Sequence, residues 1–222
     1  LTLLLSIITV IVIVIPSLLV AAFSPDESDH HNQIDPAQPI GMITSSFDVP
    51  VYRTALNKIE SIPVEDYVVG VVASEMPAEF EIEALKAQAL AARTYIVKQM
   101  LQPTEMTLPE NAVVTDTIHH QVYNNHEELQ QLWGSDYEWK YVRIAKAVEE
   151  TKGKIITYHN EPITAQFFST SNGYTENAED YWQNELPYLK SVESKWDTAS
   201  PKFTATHEIS VDSFEEKLDV SL

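Results

Sequence analysis

Histidine clusters are the most visible chemical candidates in this 222-residue sequence. His119, His120 and His126 crowd one segment, and His30 and His31 stand beside acidic residues. Imidazoles converging on one point would make a zinc site. Adjacent histidines on a strand point to opposite faces, however, and the HExxH spacing is absent. The chain has no cysteine, which removes thiolate ligands along with thiol nucleophiles and disulfides. No metal or other cofactor is therefore expected. The five glycines form neither a GxGxxG nor a Walker pattern, so no phosphate-cradling loop is present. Asp and Glu number 33 against 14 Lys and Arg, a formal charge of −19. A face that grips a phosphate backbone needs clustered cations, so nucleic acid is not an expected partner.

The elements that must position any site begin after a segment of a different kind. Residues Leu1 to Phe23 carry no charge. At about 1.5 Å per residue they are long enough, as a helix, for the roughly 30 Å hydrocarbon core. They read as an uncleaved transmembrane anchor, since a signal-peptide core is usually only about 7–15 residues long. Ala21 and Ala22 keep cleavage open as the alternative. The flank from Ser24 to Tyr52 holds Asp26, Glu27, Asp29, Asp35 and Asp48 but no Lys or Arg. By the positive-inside rule the bulk of the chain then lies outside the cytoplasm. Residues 24–46, polar and without an apolar period, read as a flexible acidic linker in which His30 and His31 are solvated.

A folded domain is expected over residues 47–222. Val49 to Tyr52 reads as a short strand. From Pro63, the apolar residues Val64, Tyr67, Val68, Val71 and Val72 recur at helical spacing, with Glu65 and Asp66 at the positive end and Pro77 as the stop. A second helix is expected over about Glu81 to Leu101, burying Ile82, Leu85, Ala89, Ala92 and Ile96. Its Lys86 and Arg93 share one flank of that stripe, while Gln88 and Tyr95 share the other. Short extended pieces are expected within Ala112 to Tyr123. Tyr137 to Thr151 reads as a helix with Trp139, Val142, Ala145 and Val148 as its apolar face. Lys154 to Tyr158 and Ile163 to Phe168 read as a hairpin about His159 to Pro162, followed by a polar loop from Ser169 to Tyr174. Phe203 to Val211 alternates like a strand. Leu222 leaves a last helical pattern unfinished, and the chain reads as cut at both ends. The whole predicts an α+β fold: a transmembrane helix, then a mixed helix and antiparallel-strand domain truncated at its C-terminus.

Several ordered blocks carry a family resemblance. They are the run Val64 to Pro77 with its Glu75-Met76-Pro77 end, Glu83 to Tyr95, Thr115-Asp116 with His120 to Tyr123, Phe168 to Thr175, and Tyr188 to Val192. Over about Val49 to Asp197 the chain resembles the stage II sporulation protein D family. The resemblance implies a peptidoglycan lytic transglycosylase, membrane-anchored in the mother cell facing the forespore, acting during engulfment. Such enzymes cleave the β-1,4 bond between N-acetylmuramic acid and N-acetylglucosamine and leave a 1,6-anhydro end.

The family's catalytic acid carries over to Glu75. That chemistry is self-consistent. Retaining glycosidases need a second carboxylate about 5 Å away, and inverting ones a base about 6.5–9.5 Å away. When the sugar's own C6 hydroxyl attacks, one carboxyl can serve as acid and then as base. The valine-rich end of a buried helix would favour its protonated form by desolvation. A carboxylate that merely decorates a helix C-terminus is the alternative there, and the dipole would disfavour it. Lys86, Gln88 and Arg93 match polar family positions and are expected to orient the acid or grip sugar amides. Ser169, Ser171 and Asn172 offer small polar groups to the sugar, and Tyr188 a ring that stacks on a pyranose or fills the core. Expected partners are peptide-free glycan strands, an amidase that strips the stem peptides, and a further membrane protein. The other readings of the resemblance are a non-catalytic wall-binding module that enhances an amidase, and an adaptor that holds partner hydrolases at the membrane.

Overall fold

The computed structural model describes residues 45–103, 106–109, 111–182 and 184–220. They divide into two compact units. One takes the described residues up to Ala89 together with Thr107–Lys152, and the other takes Leu90–Met106 and the residues from Gly153 onward.

The first unit starts from a hairpin. Strand β1 (Asp48–Arg53) alternates along its length, with Val49, Val51 and Arg53 buried on one face. A 3-10 turn, Thr54–Leu56, ends at Asn57, whose φ of 50° returns the chain into β2 (Lys58–Pro63). The pairing is antiparallel, with Val51 opposite Glu60. Helix α1 (Val64–Glu75) follows directly. The N–H of Val64 donates to the Phe47 carbonyl at 3.0 Å and that of Glu65 to Ser45 Oγ at 3.1 Å, which satisfies two of the helix's open donors. Its valines are mediocre helix formers, so tertiary burial must hold the helix. Val64, Tyr67, Val68, Val69, Val71 and Val72 are all buried, on every side of the helix and not on a single stripe.

Helix α2 (Ile82–Leu101) begins in this unit, where Leu85 and Ala89 are buried. After it, the two-residue β3 (Val114–Thr115) joins β1 in parallel, Val51 opposite Val114, for a sheet order β2-β1-β3. Helix α3 (His126–Trp133) opens with a reciprocal capping box between Asn125 and Glu128 and stops at Gly134. Helix α4 (Tyr137–Glu150) packs on α1 and buries Ile144, Ala145, Ala147 and Val148.

The second unit holds the last turns of α2, where Ala92, Arg93 and Ile96 are buried. It also holds a minimal hairpin of β4 (Thr157–Tyr158) and β5 (Glu161–Pro162), turned by His159 and Asn160, both in the left-handed region. Short helix α5 (Ala178–Tyr181) and terminal helix α6 (Val211–Leu218) complete it. Thr94 Oγ1 accepts from the Ile156 N–H at 2.9 Å, and Lys98 Nζ donates to Thr164 Oγ1 at 2.6 Å.

The expected architecture is corrected at several points. Among the described residues no helix is long and apolar enough to cross a membrane, and the stretch 1–23 given that role lies outside them, as does the linker as far as residue 44. The main sheet is mixed and not antiparallel, because β3 reaches β1 through two intervening helices, the kind of long crossover that parallel pairing requires. The buried face of α4 centres on Ile144 and Val148, and Trp139 is left 38% exposed. The expected strand Phe203 to Val211 is irregular chain running into α6, with Ser210 Oγ accepting from the Ser213 N–H as its cap.

Candidate active site

Glu75 is the last residue of α1. Beyond it Met76 turns extended while its N–H still donates to the Val72 carbonyl, so the helix ends two residues before Pro77. The carboxyl is half-buried, and Oε1 accepts the main-chain N–H of Val122 at 3.3 Å. The preceding residue is tied to the same segment. Asn124 Nδ2 donates to Ser74 Oγ at 2.8 Å, and Ser74 Oγ donates to the Gly70 carbonyl at 2.7 Å. Residues 122–124 therefore clamp the final turn that presents Glu75.

That clamp depends on close packing. An added Cβ at Gly70 would lie 2.4 Å from the Tyr123 ring and 2.5 Å from the Asn124 carbonyl oxygen. Tyr123 in turn stacks on Tyr67 with ring centres 5.5 Å apart, and the guanidinium carbon of Arg53 lies over the Tyr123 ring, 4.9 Å from its centre. Arg53 is 2% exposed and bonds three carboxylates: Glu60 at 3.0 Å, Asp116 at 2.9 Å and Glu128 at 2.6 Å. Burial opposes the charged form of Asp116. The Thr54 N–H and Arg53 outweigh it and hold that carboxyl below its usual value.

Glu75 opens on a groove of about 290 Å³ lined also by Met76, Pro77, Glu79, Trp133 and Lys140. Lys140 Nζ lies 3.1 Å from Glu79 Oε1 and 4.0 Å from Asp136. It also sits 5.9 Å from the Trp133 ring centre and 5.3 Å from that of Trp139. The Glu79 carboxyl is held below its usual value, first by its own main-chain N–H and then by Lys140. Neither Trp133 nor Lys140 is flagged by sequence reasoning, because they come from two helices either side of the Gly134–Asp136 turn and meet Glu75 only through tertiary packing.

The other expected site residues fall into both units. Lys86 pairs with Glu83 at 2.7 Å and Glu150 at 2.5 Å, and these two partners, Glu150 foremost, raise its ammonium above the usual lysine value. Gln88 is 4% exposed and its Nε2 has no hydrogen-bond partner. In the second unit Arg93 is 2% exposed and donates to the Lys154 carbonyl at 3.3 Å. Ser169 is exposed, the Ser171 N–H donates to Asp197 Oδ2 at 2.7 Å, and Asn172 Oδ1 accepts from the Tyr174 N–H at 3.3 Å. Tyr188 Oη accepts from the Thr164 N–H at 3.0 Å, and its ring lies 5.2 Å from that of Tyr158. With Lys98 and Glu161 these rings line a depression of about 250 Å³.

The histidines are engaged separately. His120 Nδ1 accepts from the Thr115 N–H at 3.2 Å, His126 bonds the hydroxyls of Tyr137 and Tyr141, and His119 is exposed.

A family model described as Stage II sporulation protein matches residues 52–158, a span that includes Glu75, Trp133 and Lys140. The chain is 56% identical over 178 residues to stage II sporulation protein D of Bacillus subtilis (strain 168), covering 80% of this chain and 52% of that relative. It is 48% identical over 231 residues to stage II sporulation protein D of Bacillus amyloliquefaciens, covering 99% of this chain and 67% of the relative. It is also 37% identical over 148 residues to the amidase enhancer of Bacillus subtilis (strain 168), covering 67% of this chain and 17% of that protein. The chain thus spans about half the length of the first of these relatives. The sequence and its Glu75-bearing first unit belong to the stage II sporulation protein D family.

Proposed function

We propose that the chain is a lytic transglycosylase of peptidoglycan in which Glu75 is the single acid and base. The observation that carries this reading is the presentation of Glu75. It ends a helix buried on nearly every side, is held by the Val122 N–H through one oxygen, and opens on a groove large enough for a sugar ring. In the reaction the protonated carboxyl gives its proton to the glycosidic oxygen as the C1–O bond breaks. The C6 hydroxyl of the same muramic sugar attacks C1 and returns its proton to the Glu75 carboxylate. The products are a 1,6-anhydro end and a free N-acetylglucosamine hydroxyl, with no water consumed. Peptidoglycan lies outside the cytoplasm, so the reaction requires the folded part there.

Among the residues expected to grip the sugar, Gln88 is buried and does not line the groove, and Lys86 is already shared between Glu83 and Glu150. An amidase that strips stem peptides is the partner the family resemblance favours, since it would supply bare strands.

A second reading is a non-catalytic module that assists an amidase, favoured by the likeness to the amidase enhancer. One experiment separates the two. The purified protein is incubated with peptide-free glycan strands and the products are examined by mass spectrometry for 1,6-anhydromuramic ends, beside Glu75→Gln. Absence of such ends, or a Gln variant as active as the parent, rejects catalysis and leaves the assisting module.

A further inference from the structure

The groove beside Glu75 contains more than an acid. Trp133 closes α3 as a half-exposed indole, although a ring of that size gains most when buried. Lys140 reaches it from α4 with a side chain only 17% exposed, pinned by Glu79 at 3.1 Å. A flat aromatic face beside a fixed donor and a fixed acceptor is what a pyranose needs: its C–H face stacks, and its equatorial hydroxyls and N-acetyl group bond the ion pair. We propose that Trp133, Lys140 and Glu79 form a saccharide subsite adjoining Glu75 that takes an uncharged N-acetylglucosamine ring. The proposal rests on the glycan-cleaving reading above, but it concerns binding.

Charge selects the sugar. Among the described residues Lys140 is the one cation lining the groove, and Glu79 with Asp136 already answers it. No positive group is left over for the lactyl carboxylate of a muramic residue. The neutral sugar of the alternating strand is the one that meets no repulsion here.

The test uses chitotetraose, an oligomer of N-acetylglucosamine alone, titrated calorimetrically into the full chain carrying Glu75→Gln so that nothing is cleaved. Trp133→Ala is expected to weaken Kd about tenfold, which corresponds to ~1.4 kcal/mol, and Trp133→Tyr to recover most of that loss. Unchanged affinity in a folded Trp133→Ala protein overturns the subsite, as does a Glu75→Gln chain that binds no chitotetraose. Should Trp133→Ala fail to fold, Lys140→Met takes its place, with a similar loss expected and an unchanged Kd again overturning the proposal. The two readings fail separately. A Glu75→Gln chain that still cleaves glycan removes the acid and leaves the binding loss standing, whereas an inactive Glu75→Gln with full-affinity Trp133→Ala removes the subsite alone.

Discussion

Gly70 and Tyr123 are so close that a single added carbon on the glycine would overlap the ring at 2.4 Å. A glycine inside a helix normally costs about 1 kcal/mol relative to alanine, so Gly70→Ala would ordinarily stabilise. Here the sign reverses. The second obstacle is the Asn124 carbonyl at 2.5 Å, which belongs to main chain and cannot rotate aside. Overpacking of this kind costs about 1–3 kcal/mol. Gly70→Ala is therefore expected to lower the denaturation midpoint and, under the proposed function, also to reduce glycan cleavage, because residues 122–124 would move away from the turn that presents Glu75. A midpoint equal to or above that of the parent contradicts the packing.

Arg53 contacts the same segment through the Tyr123 ring. It is buried and divided among Glu60, Asp116 and Glu128, the last also half of the cap of α3. Removing it leaves three carboxylates facing one another, and breaking a buried pair costs about 3–5 kcal/mol. Glu60 and Glu128 keep 27% and 37% of their exposure and are partly solvated once unpaired, so Arg53→Met should lose about 3 kcal/mol, the low end of that range, in urea unfolding. Arg53→Lys should recover little, because one ammonium cannot satisfy a forked arrangement. A lysine variant of native stability would show that charge alone, not the guanidinium fork, holds the cluster.

Asp116 gives this cluster a pH signature. Its folded carboxyl titrates below its unfolded value, so its contribution is complete above about pH 4 and is lost as pH falls through the lower folded value. Asp116→Asn keeps an acceptor for the Thr54 N–H and has no charge to lose. The stability difference between parent and variant should shrink as pH drops below about 4. A constant difference across an acid titration followed by circular dichroism would remove Asp116 from the acid response.

Much of the frame was legible in the sequence. Helical spacing in α1 and α2, with Pro63 before and Pro77 between, set both to within a residue or two. β2 was not legible, because Lys58–Pro63 alternates no apolar pattern: Ile59 is exposed and only Ile62 is buried. α3 was legible and missed. Asn125 followed three residues later by Glu128 is a capping-box signal. The position of Glu75 came from local sequence, but its partners did not. Val122, Trp133 and Lys140 are brought to it by chain folding between helices, which no spacing rule records.

His120 should titrate against the fold in a nearer pH range. Burial foremost, with the charge of His119, pushes its imidazole below the usual histidine value. Nδ1 accepts from the Thr115 N–H, which requires that nitrogen to be unprotonated. Its contribution is complete above the unfolded value of about 6.5 and declines as pH falls from there toward the lower folded value. Asn offers an acceptor oxygen where Nδ1 stands and carries no titratable proton. His120→Asn is expected to lose less stability than the parent between about pH 6.5 and 5, measured as Tm against pH. A variant that declines in parallel with the parent removes His120 as the source.

Asn124 allows the clamp on Glu75 to be tested without touching the acid. Ser74 Oγ spends its one proton on the Gly70 carbonyl, so it can only accept from Asn124 Nδ2. Asn124→Ala removes that donor and should lower stability by about 1 kcal/mol. If the bond serves to aim Glu75 in the proposed reaction, kcat for glycan cleavage should fall by about tenfold with KM little changed, short of the ~100-fold that a 1 Å misplacement can cost. Asn124→Asp is the sharper variant, although it is nearly isosteric. It supplies an acceptor where a donor is needed, so it faces the Ser74 hydroxyl oxygen with no proton between them. Its kcat should therefore fall below that of Asn124→Ala. The reverse order, or a larger change in KM than in kcat, would mean that Asn124 shapes the groove for substrate and does not position Glu75.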